Sequence, residues 1–155
     1  MIANDMDGIG IYGALNDKND PDHKRRKAHA ELYYETRRHS NKEFWVKKVA
    51  ENAGMSEKVI GKIFDHVFIE QHDIYGELKR FDSSYDMAES FRRLHEGKNI
   101  QPHDIVLLKH ERLEAELMNR YGCNQSKSHT LASQKYNYVE ALTAWQKEQN
   151  SNGKA

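Results

Sequence analysis

Apolar residues recur along this chain at three- and four-residue intervals, a spacing that divides it into about six amphipathic helices. Asp20-Pro21-Asp22 is a helix start, and the first helix should run to about His39. Ser40-Asn41-Lys42-Glu43 has the form of a capping box, with Ser at the cap and Glu three residues later. The second helix carries Phe44, Trp45, Val49 and Ala50 and stops at Gly54. Ser56 caps the third, with Val59, Ile60, Ile63, Phe64 and Val67 on one side. Ser83 starts the fourth, whose stripe is Met87, Ala88, Phe91 and Leu94, ending at Gly97. Pro102 opens the fifth, which ends near Gly122. The sixth begins near Asn124 or Ser126 and runs past Trp145. His72 to Asp82, around Gly76, reads as a turn-rich connection with room for one short strand. The fold class implied is all-α, a compact bundle or orthogonal packing of helices.

Length and composition adjust this picture. At 155 residues one domain is expected, spanning 21–149, with an irregular lead-in or linker over 1–20 and a frayed tail over 150–155. The hydrophobic fraction is 37%, the charged fraction 31% and the mean hydropathy −0.96. Scattered apolar residues at that level would suit a disordered chain. Their helical spacing instead implies a folded chain with wide polar faces. The net charge of zero hides a segregation. From His23 to Lys48 nine Lys/Arg face three Asp/Glu, a net of +6, and from Phe64 to Glu89 seven Asp/Glu face two Lys/Arg, a net of −5. The basic segment, Arg25 and Arg26 included, either tracks phosphates or forms the solvated face of two helices. Arg92 and Arg93 either hold an anionic substrate or pair with the acidic segment. The lone Cys123 excludes an internal disulfide. No secretory or membrane-spanning run is present, so export would require a larger carrier.

The nine histidines are the unusual feature. At roughly 100° per residue, His103, Leu107, His110, Glu114 and Leu117 share a narrow wedge of the fifth helix, with Lys109, Arg112 and Glu116 opposite. His110 and Glu114 therefore stand at the centre of an apolar face, where a carboxylate is costly unless paired or metal-bound. Their i,i+4 spacing lets both reach one point, whether a metal ion, a shared proton or only each other. His66 and Glu70 repeat the spacing on the third helix, Glu70 in line with Ile63 and His66 at the edge of the stripe. His72 follows at once. His129, on a face with Ala132 and Tyr136, could supply a third imidazole. Facing pairs of this kind assemble metal sites in helical bundles. The candidate ligands are thus His66, Glu70, His72, His110, Glu114 and His129, for zinc or magnesium. His110-Glu111-Arg112-Leu113-Glu114 also resembles a zincin helix, in which the Glu after the first His is a general base; here Glu114 takes the place of the second His. No Walker loop, dinucleotide fingerprint, nucleophile elbow or Cys-x-x-Cys pair is present.

Phe64 to Tyr138 resembles the C-terminal toxin domains of bacterial polymorphic toxins of the rearrangement-hotspot, contact-dependent-inhibition and LXG types. The matching pieces are His66-Val67-Phe68 with His72; Arg80-Phe81-Asp82; Tyr85-Asp86-Met87-Ala88 through Arg93-Leu94; His103 through Glu111 with Glu114; Ser128-His129; and Tyr136-Asn137-Tyr138. The resemblance implies a domain secreted within a larger effector, acting in the cytoplasm of a target bacterium and neutralised by a cognate immunity protein.

Three functions fit these residues. The first is a metal-dependent hydrolase toxin, most simply a nuclease, with His110, Glu111, Glu114 and His66 catalytic and Arg25, Arg26, Arg92 and Arg93 holding nucleic acid. The second is a zincin-like metallopeptidase toxin using His110-Glu111 and Glu114. The third is a non-enzymatic helical interaction domain whose buried His/Glu pairs are structural.

Overall fold

The computed structural model describes residues 20–153. Among them it is mostly helical: α1 (His23–His39), α2 (Lys42–Ala53), α3 (Glu57–Phe64), a π-helical turn (Asp65–Ile69), β1 (His72–Ile74), β2 (Glu77–Lys79), α4 (Tyr85–Glu96), α5 (Pro102–Tyr121), α6 (Gln125–Lys135) and α7 (Tyr138–Gly153). The expected lead-in lies outside the described residues except for Asp20.

Local chemistry sets the helix ends. Asp20 nucleates α1: its carboxylate accepts from the Asp22 N–H at 2.9 Å and its carbonyl from the His23 N–H at 3.0 Å. The cap of α2 is Asn41 rather than Ser40, its side chain accepting from the Phe44 N–H at 3.0 Å. Ser56 caps α3 through the Val59 N–H at 3.1 Å. The cap of α4 is Ser84, one residue after the expected Ser83. Pro102 opens α5, where the Asp104 carboxylate accepts from the Gln101 N–H at 2.8 Å. Gly97 ends α4 at φ 72°, packed so closely on Asn52 that an added Cβ would lie 2.9 Å from that amide.

Three departures from the helical pattern matter for the site. First, one long sixth helix is replaced by α6 and α7. Tyr136 is extended, and the Asn137 side chain accepts from the Glu140 N–H at 2.9 Å, starting a new helix instead of continuing the old one. α7 then continues through the expected tail to Gly153. Second, α3 widens into the π turn, closed by a 2.7 Å bond from the Glu70 N–H to the Asp65 carbonyl five residues back. Third, the 72–82 connection holds two antiparallel strands, His72 paired with Lys79 and Ile74 with Glu77, around a Tyr75-Gly76 turn with both φ positive.

The core is aromatic at its centre. Trp45, Phe64, Phe68 and Phe91 are all at most 1% exposed, and their rings meet edge-on or tilted at 5.2–5.7 Å. The Trp45 indole N–H donates to the Tyr33 hydroxyl at 3.1 Å, so the largest side chain is buried with its one polar atom satisfied. This cluster locks α2, α3 and α4 together, with α5 packed against α3, α4, α6 and α7. No helix among the described residues is long and apolar enough to cross a membrane.

Candidate metal centre

Four of the five wedge residues on α5 are buried, and Leu117 is half-buried. His103 is 1% exposed, Leu107 1%, His110 3% and Glu114 2%, while Lys109, Arg112 and Glu116 are exposed. Glu111, outside that wedge, is also buried. The π turn, which helical projection does not contain, sets the His66 ring 3.7 Å from the Glu111 carboxylate. The same turn alters the phase of its own residues and of those that follow it. His66, placed by projection at the edge of the stripe, is buried at 1%, and Glu70, placed in line with Ile63, is exposed.

Glu114 is the hub. Its Oε1 lies 3.2 Å from His66 Nε2 and accepts from the Gln125 amide at 3.4 Å. Its Oε2 lies 3.1 Å from His110 Nε2 and 3.2 Å from His129 Nδ1. Glu111 closes the ring, its two oxygens 3.7 Å from His66 Nε2 and 3.8 Å from His110 Nε2. Three imidazoles and two carboxylates from α5, α6 and the π turn thus converge, and His129, at 40% side-chain exposure, is the member open to solvent.

Hydrogen bonding fixes which His110 nitrogen faces the hub. Nδ1 lies 3.0 Å from the Tyr136 carbonyl, a group that only accepts, so Nδ1 carries a proton. A neutral His110 then turns the Nε2 lone pair at a carboxylate oxygen. The arrangement is favourable only when a proton or a metal cation lies at that nitrogen. An imidazole that donates one N–H to a backbone carbonyl and aims the other nitrogen at a shared point is the usual setting of a metal ligand. Burial pushes the Glu114 carboxyl up, but hydrogen bonds from His110, His129 and His66 outweigh it and hold Glu114 well below the usual range. Burial, then the neighbouring Glu114 carboxylate, push Glu111 well above it.

Among the described residues, three sets of side chains are close enough to hold a metal ion, each with ligand atoms within 4.8 Å of one another: His110, Glu114 and His129; His66, Glu111 and Glu114; and His66, Glu70 and His72. The last is the least committed. Glu70 is exposed, and His72 already donates Nε2–H to the His66 carbonyl at 2.8 Å while stacking on Phe81 at 4.4 Å. Burial lowers the His72 pKa, in keeping with a neutral ring.

The four arginines considered for substrate binding have other partners. Arg92 pairs with Glu89 and Glu96 along α4. Arg93 is buried, both its Nε and Nη2 bound by Asp104 at 2.8 Å and its Nη2 donating to His103 Nε2 at 3.1 Å. Arg25 pairs with Asp22, and Arg26 pairs with Asp20 and lies over Tyr85.

Arg93 belongs to a second buried polar cluster that the helical pattern did not single out. There Ser90 and Tyr138 share a hydrogen bond of 2.9 Å, and the guanidinium sits over Trp145. It ties α4 to the start of α5 and to α7, and so holds the helix that carries Glu111 and Glu114. Gln125 and the Tyr136 carbonyl also went unsingled: an amide and a main-chain oxygen leave no mark in hydrophobic spacing.

Fold and site together define a mostly helical domain with a buried His/Glu centre able to hold a metal ion. Comparison with known proteins found no counterpart: no family model, no curated protein and no solved structure matches the chain.

Proposed function

We propose that this domain is a metal-dependent hydrolase whose divalent ion is held by His110, His129 and Glu114. The observation that carries the reading is the convergence of His110 Nε2 and His129 Nδ1 on Glu114 Oε2, with His110 pinned from behind by the Tyr136 carbonyl. An imidazole-rich set suits zinc better than magnesium, which favours oxygen ligands in octahedral geometry. When bound, such an ion polarises a substrate oxygen and lowers the pKa of water. Glu111 stands beside this set, one carboxylate oxygen 3.8 Å from His110 Nε2. It would take a proton from the attacking water and return it to the leaving group. His129 marks the side from which substrate enters.

The resemblance of Phe64–Tyr138 to polymorphic-toxin domains supports an antibacterial setting. We accordingly propose an effector domain that works in the cytoplasm of a target bacterium, is delivered as part of a larger protein and is restrained by an immunity protein.

The test has two arms. Purified protein is assayed for zinc and for turnover of RNA, DNA and casein, and the domain is produced in a bacterial cytoplasm. The expected results are bound zinc, zinc-dependent turnover and growth arrest relieved by His110→Ala. Protein that binds no metal and turns over none of the three would overturn the hydrolase reading and favour an interaction domain.

A further inference from the structure

The two oxygens of Glu114 address different partners. Oε2 faces His110 Nε2 and His129 Nδ1 at 3.1 and 3.2 Å, whereas Oε1 faces His66 Nε2 at 3.2 Å. Glu111 stands beside His66 at 3.7 Å, and His66, Glu111 and Glu114 form a metal-capable set in their own right, buried throughout. The two sets share one residue, Glu114, and within it they use different atoms. A carboxylate arranged this way bridges two cations.

We propose that the centre is dinuclear, with one ion held by His110, His129 and Glu114 Oε2, a second by His66, Glu111 and Glu114 Oε1, and a phosphodiester as substrate. The inference rests on the hydrolase reading and deepens it. Two divalent ions about 3.5–4 Å apart clamp both the attacking and the leaving oxygen of an in-line displacement at phosphorus. A single ion polarising a peptide carbonyl does not require the second set. The reaction balances as hydrolysis: the water oxygen bonds to phosphorus, one P–O ester bond breaks, and the proton lost by water ends on the departing alcohol. In this arrangement Glu111 is a ligand, and the proton passes to the alcohol without it.

Glu111 and Glu114 are both buried within one ring of imidazoles, and Glu111 stands on the His66 side of that ring as a member of the second set. The third set, His66 with Glu70 and His72, does not share Glu114 and lies partly in solvent.

The test is zinc stoichiometry on the full chain by equilibrium dialysis, with Co2+ substitution to read coupling between ions by electron paramagnetic resonance. Two equivalents per chain are expected, with the Co2+ signal quenched as the second equivalent binds. One equivalent should remain in His129→Ala, which loses the exposed ligand, and one in Glu111→Gln, a near-isosteric change. Glu70→Gln should keep two. Hydrolysis of bis(p-nitrophenyl) phosphate should fall at least 100-fold in both one-ion variants, with circular dichroism confirming that they remain folded. One equivalent in the unaltered protein would sink the dinuclear proposal and leave the mononuclear hydrolase standing, whereas no bound zinc would remove both. Two uncoupled ions, or loss of one in Glu70→Gln, would overturn the shared-carboxylate assignment. Cleavage of casein without cleavage of the phosphodiester would overturn the substrate class.

Discussion

His110 and Tyr136 are joined by a hydrogen bond of 3.0 Å from the imidazole Nδ1 to a main-chain oxygen at the break between α6 and α7. The interruption of that helix is what frees the carbonyl. In an unbroken helix the Tyr136 oxygen would accept from Glu140, whose N–H instead bonds to the Asn137 side chain. The break therefore orients the His110 nitrogen that faces Glu114.

Zinc should stabilise the fold through this arrangement. At about 100 times its Kd, one ion adds roughly 2.7 kcal/mol, or about 5–10 °C in Tm for a domain of this size. His110→Ala should abolish the zinc-dependent rise. It should also lower the metal-free Tm, because Glu114 loses one of its imidazole partners inside the core. An unchanged zinc response in His110→Ala, read by differential scanning calorimetry, would remove His110 from the ligand set.

Glu111→Gln separates chemistry from packing. The amide keeps the shape of a side chain whose carboxyl is pushed towards its neutral form by burial and by Glu114. The variant should therefore stay folded, with a metal-free Tm equal to or above that of the parent, while hydrolysis and toxicity disappear. Full toxicity with the fold intact would exclude both a proton-transfer and a ligand role.

Asp104→Asn should cost about 3–5 kcal/mol in urea unfolding, because it leaves the buried Arg93 guanidinium without its carboxylate. Zinc stoichiometry of the protein that remains folded should not change, since Asp104 makes no bond to the Glu114 ring. A loss of bound zinc in folded Asp104→Asn would mean that the second cluster does more than hold α5 in place.

Asp86 supplies a pH signature. Burial raises its pKa from 3.8 to about 6, and its Oδ2 has no hydrogen-bond partner. A folded-state pKa above the unfolded value means that the group favours folding fully below about pH 4, an advantage lost as pH rises through about 6. Asp86→Asn should remove that slope and stabilise the protein at pH 7 by about 1–3 kcal/mol. Parallel pH–stability curves for the two proteins would show that Asp86 does not titrate in this way.

Gly97→Ala should destabilise by about 1–3 kcal/mol, since φ is 72° and the new methyl would meet Asn52. That amide cannot readily yield: it donates to the carbonyls of Leu94 at 2.7 Å and His95 at 3.2 Å, closing the end of α4. A Tm within 1 °C of the parent, roughly the resolution of the scan, would show that the contact relaxes at no cost.

The sequence by itself determined the helical class, the stops at Gly54, Gly97 and Gly122, and the burial of His103, His110 and Glu114 on one face of α5. These features follow from short-range rules: the 3.6-residue period, the left-handed freedom of glycine and the side-chain oxygens that cap helices. The cap of α2 missed by one residue because Ser40 and Asn41 are both competent, and backbone geometry at the turn chose Asn41. Tertiary structure alone decided the rest of the site. The π turn carried His66 into the core and Glu70 to solvent, because an i→i−5 closure changes the phase of the residues within and after it and is indifferent to hydrophobic period. Tertiary packing also brought α6 across α5, so that His129 and Gln125 reached a carboxylate 15 and 11 residues away. A helical projection ranks positions by the face they occupy; which faces meet depends on how volumes fill the space between helices, and that is a property of the whole packed chain.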